Sequence, residues 1–389
     1  MTESPRFPEG EVGIELTEAS MALAESPAHR FEIDGQVTWL LTRHNDIRQL
    51  LTDTRFSRAA IAKPGNHDSI SMMDAPDHGR VRSVVVRAFS ARRIKDLRER
   101  TEVIAAKLID EMLRQGPPVD LIEAFCLPLP VTVIGELLGI PEEDRDRFAQ
   151  WSRDLMSTAD PSRVVSAEED LDRYMKALIE AKRAAPSDDL LGVMIAARDD
   201  AHRLDEQEMV DLAAGVLIGG HETTATQLAN FTYRLLTYTD LTDSLRNHPE
   251  QMPSAIEELL RLTPLGSGVA GTFSQVATED LTIGGVDVRA GEIVLGASAI
   301  ANRQPDVFAD PEAVKVNRNP NPHIAFGHGA HHCLGAPLAR MELDIGLTAL
   351  LTRLPTLDFA IDPDALSWRT DSVVRGLLSL PVTWCPAIA

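Results

Sequence analysis

The sequence predicts a mainly α-helical, α+β fold: a single large helical domain, residues 1–389, with a small β-rich subdomain drawn from the two ends of the chain. Three observations carry this expectation. Residues 30–42 alternate apolar and polar side chains on either side of Asp34-Gly35, the signature of a hairpin with a two-residue turn. Helix-period apolar spacing then dominates, at about 79–88, 94–115, 131–138, 142–156, 167–183, 188–197, 205–238, 241–247 and 249–262. Strand-like runs return at 281–295, around Gly284-Gly285, and near 357–361 and 378–384, with one further helix over 334–351.

The helix over 205–238 would run about 50 Å at 1.5 Å per residue, enough to cross a domain of this size, so its centre must be buried. That centre holds Gly219-Gly220-His221-Glu222-Thr223-Thr224, a run expected to break the helix. Adjacent glycines remove side chains where a planar ligand could approach. Glu222 beside Thr223 sets an acid next to a hydroxyl, a pair able to relay protons through ordered water. The alternative is a threonine bonded back to its own helix and a solvated glutamate. His221-Glu222 also begins like a metalloprotease motif, but Ala225 fills the second histidine's place and excludes it.

A net charge of −21 argues against nucleic acid or an anionic membrane as partner. No run approaches the roughly 18–20 apolar residues of a membrane span, so a cytoplasmic protein is expected. Cys126, Cys333 and Cys385 are too few and too scattered for a disulfide framework, and they lack the paired spacing of structural zinc.

Of the three, only Cys333 has informative surroundings. The glycines of Ala325-Phe326-Gly327-His328-Gly329-Ala330-His331-His332-Cys333-Leu334-Gly335 allow a tight loop. The helix expected from Leu334 onward places Cys333 at its N-terminal end, where the helix dipole favours a thiolate, the electron-donating axial ligand that a haem iron takes. A buried, inert thiol is the alternative, and it is kept for Cys126 and Cys385. Zinc is a weaker reading of His323, His328, His331, His332 and Cys333, because no second Cys or His pair lies elsewhere.

Phe326-x-x-Gly329-x-His331-x-Cys333-x-Gly335 resembles the haem-binding loop of the cytochrome P450 family. Further motifs follow in that family's order: Gly219 to Thr224 is similar to the oxygen-binding helix motif, Glu258-Leu259-Leu260-Arg261 to Glu-x-x-Arg, and Ala301-Asn302-Arg303 with Phe308-Ala309-Asp310-Pro311 to the meander. The resemblance covers essentially the whole chain and is greatest to soluble actinobacterial members. It implies the P450 fold, haem b (iron protoporphyrin IX) held by Cys333 as metal ligand, and dioxygen as co-substrate. It implies that Glu222 and Thr223 are catalytic, relaying protons. Glu258 and Arg261, an i, i+3 pair, would join Arg318 in a structural role.

The resemblance also assigns haem contacts to His78, Arg82, Phe326, Gly327, His331 and Gly335, with His78, Arg82 and His331 at the propionates. Gln275 departs from the pattern, standing where the family usually has a propionate-binding arginine; an amide donates a hydrogen bond but no charge. A lowered reduction potential is expected, which Gln275→Arg should raise. By analogy the substrate pocket takes Ile218, Gly219, Val269, Ala270 and Val373, from the long helix, residues 265–272 and the turn 372–375, with residues 60–73 and 157–165 alongside. The scarcity of bulk in 265–271 leaves room for a large hydrophobic natural product, a polyketide macrolide or terpenoid.

Arg80, Arg82, Arg87, Arg92, Arg93, Lys95, Arg98 and Arg100 cluster in an otherwise acidic chain. The segment from Arg80 to Arg100 is expected to dock an acidic ferredoxin that passes on electrons from NAD(P)H, and charge reversal at Arg92 and Arg93 should slow reduction. The leading expectation is a monooxygenase acting on a C–H or C=C bond. Oxidative coupling, desaturation or multi-step oxidation on the same fold, and a non-catalytic haem-binding protein, are the alternatives.

Overall fold

The Asp34-Gly35 turn forms as expected. Ala28–Ile33 and Gln36–Leu41 pair antiparallel from Ile33↔Gln36 outward. Asp34 and Gly35 take φ of 51° and 74°, the left-handed pair whose twist matches that of the flanking strands. In the computed structural model, residues 12–61, 69–86, 89, 91–199, 203–266 and 273–385 are described. They fall into two compact units, Met1–Gly79 with Glu257–Leu334, and Arg80–Ile256 with Gly335–Ala389.

In the first unit the hairpin opens a five-stranded sheet ordered Ala28–Ile33, Gln36–Leu41, Ile293–Gly296, Gln275–Ala277, Phe56–Ser57. Only the pairing of Gln36–Leu41 with Ile293–Gly296 is parallel. Successive side chains leave a strand on opposite faces, so Leu41 and Val294 join one apolar cluster with Ile47, Leu50, Phe56 and Ile324. Their neighbours Leu40 and Leu295 join another with Leu23 and Phe31. The Gly284-Gly285 turn, both residues at positive φ, closes a two-stranded ribbon of Leu281–Ile283 and Val286–Val288.

The second unit is helical. Its axis is Glu206–Thr237, started by a capping box in which Asp205 and Glu208 satisfy each other's backbone N–H groups. The helix continues unbroken through Gly219 to Thr224, correcting the expected interruption. Gly220 serves close packing instead: a Cβ there would lie 2.6 Å from Ile134 Cδ1 on the neighbouring helix Pro128–Leu138. Ala336–Arg353 packs against both Glu206–Thr237 and Ala91–Gln115. A small sheet of Val119–Asp120, Pro381–Thr383 and Asp358–Phe359 completes the unit. The helix-dominated α+β class expected from the sequence is the one observed.

Candidate active site

In the first unit a chain of hydrogen bonds runs from a buried carboxylate to Cys333. Glu258 accepts from Arg261 Nε at 2.8 Å and Nη2 at 2.7 Å, from Arg318 Nε at 2.9 and 3.0 Å, and from the Lys315 backbone N–H at 3.0 Å. Glu258 and Arg261 are fully buried. Burial alone would raise the Glu258 pKa, but these donors outweigh it and hold the carboxyl below its ordinary value. Arg261 Nη1 donates onward to the carbonyls of Asn302 and Pro311 at 2.9 and 2.7 Å.

The side chain of Asn302 then accepts from the backbone N–H of Ile324 at 2.9 Å. Gly327 N–H bonds to Ile324 O, and Cys333 N–H to Phe326 O, at 2.9 Å each. Gly329 needs its missing side chain: its φ is 71°, and a Cβ would lie 2.5 Å from Leu51 O. The loop is thus tied at both ends, with Cys333 exposed. Its helix begins at Ala336, with Gly335 as N-cap and a proline in the first turn, so the expected start at Leu334 is corrected. Proline is pre-organised for a first turn, and Leu334-Gly335 is a turn leading into it.

The loop histidines do not converge. His331 stacks on His78 with ring centroids 3.9 Å apart, His323 meets Glu257 at 3.0 Å, and His328 accepts from Arg48 at 3.4 Å. Among the described residues no group of three His, Cys, Asp or Glu could hold a metal ion. Gln275 is buried, and its Nε2 has no hydrogen-bond partner among the described residues.

In the second unit Glu222 is 1% exposed, and its Oε1 accepts from Arg369 Nη1 while Oε2 has no partner. Thr223 Oγ1 donates to Gly219 O at 2.7 Å. The back-bonded threonine of the alternative reading is therefore present, while its solvated glutamate is not. A Cβ at Gly219 would meet nothing within 4 Å, and Ile218 beside it is half-buried. Val373 is exposed and its backbone N–H bonds to Met156 O at 2.9 Å, so residues 157–165 and the turn 372–375 adjoin, with a bridge at Ser157↔Ser372. Val269 and Ala270 lie outside the described residues.

The sequence profile described as Cytochrome P450 matches residues 143–364. A nocardicin C N-oxygenase from Nocardia uniformis subsp. tsuyamanensis is 42% identical over 98% of this chain and 99% of its own. This chain belongs to the cytochrome P450 family. The mycinamicin IV hydroxylase/epoxidase of Micromonospora griseorubida is 45% identical over 90% of each chain. The solved structure of the LnmA cytochrome P450 hydroxylase from the leinamycin biosynthetic pathway of Streptomyces atroolivaceus S-140 superposes with a TM-score of 0.90. It is 43% identical, covering 97% of this P450 and 99% of that chain.

The protein is a P450 monooxygenase, and the family implies a haem cofactor and dioxygen. When bound, the haem supplies redox chemistry with dioxygen that no side chain provides. The residues of this P450 fit the group. Cys333 is exposed on a tethered loop, and in the same unit the buried Gln275 amide, without a partner among the described residues, is a donor for a carboxylate.

The basic segment carries less free charge than its composition suggests. Arg80 pairs with Glu208 at 2.5 Å, Arg93 with Asp188 at 3.3 Å, Arg98 with Asp344 at 2.5 Å and Arg100 with Glu136 at 2.9 Å. Lys95 is exposed, and Arg87 and the Arg92 side chain lie outside the described residues. Two residues escaped sequence reasoning. Arg369 meets Glu222 across 147 positions, and Arg58 is a buried cation with no local pattern to mark it.

Proposed function

We propose that this P450 inserts one oxygen atom from dioxygen into a C–H or C=C bond of a large hydrophobic natural product of the polyketide macrolide or terpenoid type. Electrons would reach it from NAD(P)H through a reductase and an acidic ferredoxin, in the cytoplasm. The observation that carries the reading is the exposed Cys333 at the end of hydrogen bonds that start at Glu258. In it Cys333 is the axial thiolate, with His78, Arg82, His331 and Gln275 at the haem edge.

Glu222 and Thr223 handle protons. Thr223 Oγ1 spends its proton on Gly219 O and keeps lone pairs to accept a bond, while Glu222 Oε2 is the buried acid atom not held by Arg369. Ile218, Gly219 and Val373, with Val269 and Ala270, would line the substrate pocket. The exposed Lys95 and its neighbours would receive the ferredoxin.

A carbon monoxide difference spectrum of the reduced protein tests the thiolate: the haem-thiolate band should be present in wild type and lost in Cys333→His. A spin-state titration with macrolides and terpenoids then tests the substrate class, and no shift with any of them would reject it. Oxygenation at nitrogen is a second reading, favoured by the extent of likeness to the nocardicin C N-oxygenase. Labelled dioxygen, followed into product by mass spectrometry, separates the two by which atom carries the label.

A further inference from the structure

Arg58 is an under-compensated cation inside the first unit. It is 6% exposed, and among the described residues its Nε has no hydrogen-bond partner and Nη1 reaches only the Ser71 carbonyl at 3.1 Å. Its guanidinium lies 5.1 Å from the centre of the Phe273 ring. The nearby carboxylate of Asp74 is engaged elsewhere, accepting from the Arg58 backbone N–H at 3.0 Å and from Ser57 Oγ at 2.5 Å. Burial lowers the Arg58 pKa to about 10, the Asp74 charge opposing the fall, so the side chain is a full cation at neutral pH. A buried cation of this kind calls for an anion that none of the described residues supplies through a side-chain hydrogen bond.

The position of Arg58 indicates which anion. Phe56 pairs with Ala277 and Ser57 with Val276 in an antiparallel ladder. The strand ends at Ser57, and Arg58 follows it in a bend, at the same end of the ladder as Gln275, which directly precedes Val276. Two buried donors with no acceptor among the described residues, Arg58 Nε and Gln275 Nε2, therefore flank the same end of one short ladder. Both belong to the unit that holds Cys333. Asp74 O accepts from the His78 backbone N–H, and His78 stacks on His331, two residues from the cysteine.

We propose that Arg58 supplies the cation missing at position 275, its guanidinium and the Gln275 amide together holding one carboxylate of the haem. The charge has moved across the ladder rather than vanished, so the shortfall expected from Gln275 alone is made good. The proposal rests on haem ligation by Cys333. A carboxylate borne by the substrate is the same chemistry from another source, and the experiment separates the two.

The holoproteins to compare are wild type, Arg58→Gln, and Arg58→Gln combined with Gln275→Arg. Three substrate-free readouts apply: haem transfer to excess apomyoglobin, the propionate bending modes in resonance Raman, and the midpoint potential. Loss of a charge-assisted hydrogen bond should speed haem transfer by about tenfold, shift one propionate mode and lower the potential. The double variant, returning the cation from the opposite strand, should reverse all three.

Wild-type haem retention and Raman modes in Arg58→Gln would overturn the proposal. The same retention with loss of a dodecanoate-induced spin shift would assign the charge to the substrate instead. If Arg58→Gln does not fold, Arg58→Lys keeps the charge without the fork, and a haem-transfer rate equal to wild type would overturn the role of Nε. Absence of the haem-thiolate band with carbon monoxide in wild type would strike the Cys333 reading, whereas its loss only in Arg58→Gln, with return in the double variant, supports the role of Arg58.

Discussion

Glu222 is a carboxylate with two unlike oxygens, one held by Arg369 and one buried without a donor. If it hands on protons, Glu222→Gln removes the acid while keeping shape and burial. Turnover should fall about 10²-fold with a larger solvent isotope effect and unchanged haem content; wild-type turnover in D₂O and H₂O alike would remove Glu222 from the relay. Glu342 behaves differently. Neither of its oxygens has a partner among the described residues, and burial pushes its pKa well up. A folded-state pKa above the unfolded value means that the fold binds the extra proton, so stability falls as pH rises from about 4.3 towards the raised value. Glu342→Gln should therefore raise Tm by a few degrees at pH 8 and change it little near pH 4. A Tm lowered at pH 8 would show that the carboxylate is compensated.

At the scale of elements, the decisive unit is the set of segments gathered on Glu258. Its pKa is depressed, so its contribution is complete above the unfolded value and is lost as pH falls through the folded one. Glu258→Gln leaves two guanidinium groups facing a neutral amide and should cost about 3–5 kcal/mol in denaturant unfolding; a cost under about 1 kcal/mol would mean that the cluster relaxes. Arg261 and Arg318 were legible as partners of Glu258 because they lie in sequence motifs, as was the Asp34-Gly35 turn, which is set by adjacent residues. Phe56–Ser57 and Gln275–Ala277 were not legible as strands, because segments of two and three residues show no period. The Arg58–Gln275 neighbourhood exists only through that pairing, and the Arg369–Glu222 contact only through the fold of the second unit. The short helix His44–Leu50 was missed for lack of length and of a side-chain cap.

Over the whole molecule, charge decides how a partner arrives. A chain at net −21 would repel the acidic ferredoxin proposed as its electron donor from most directions, which would confine productive encounter to whatever positive surface survives internal pairing. Since four arginines of the basic segment are paired with carboxylates of their own chain, Lys95 should matter more than composition implies. Lys95→Glu should slow reduction several-fold at low salt, and the difference should disappear near 1 M salt, where the Debye length is about 3 Å. Equal rates at low salt would place docking elsewhere.

The segment bearing Arg369 also bears Val373, and Asn230 of the long helix fastens it by donating to Arg375 O at 2.9 Å. One stretch of backbone thus positions both the tether of the acid and a side chain that would touch the compound being oxidised. Anyone redesigning this enzyme for a new compound by randomising 371–374 should find that selectivity and reductant efficiency do not vary independently. Clones with altered preference would waste more electrons as hydrogen peroxide, and recovering thrift would require compensating changes at 369 or 222.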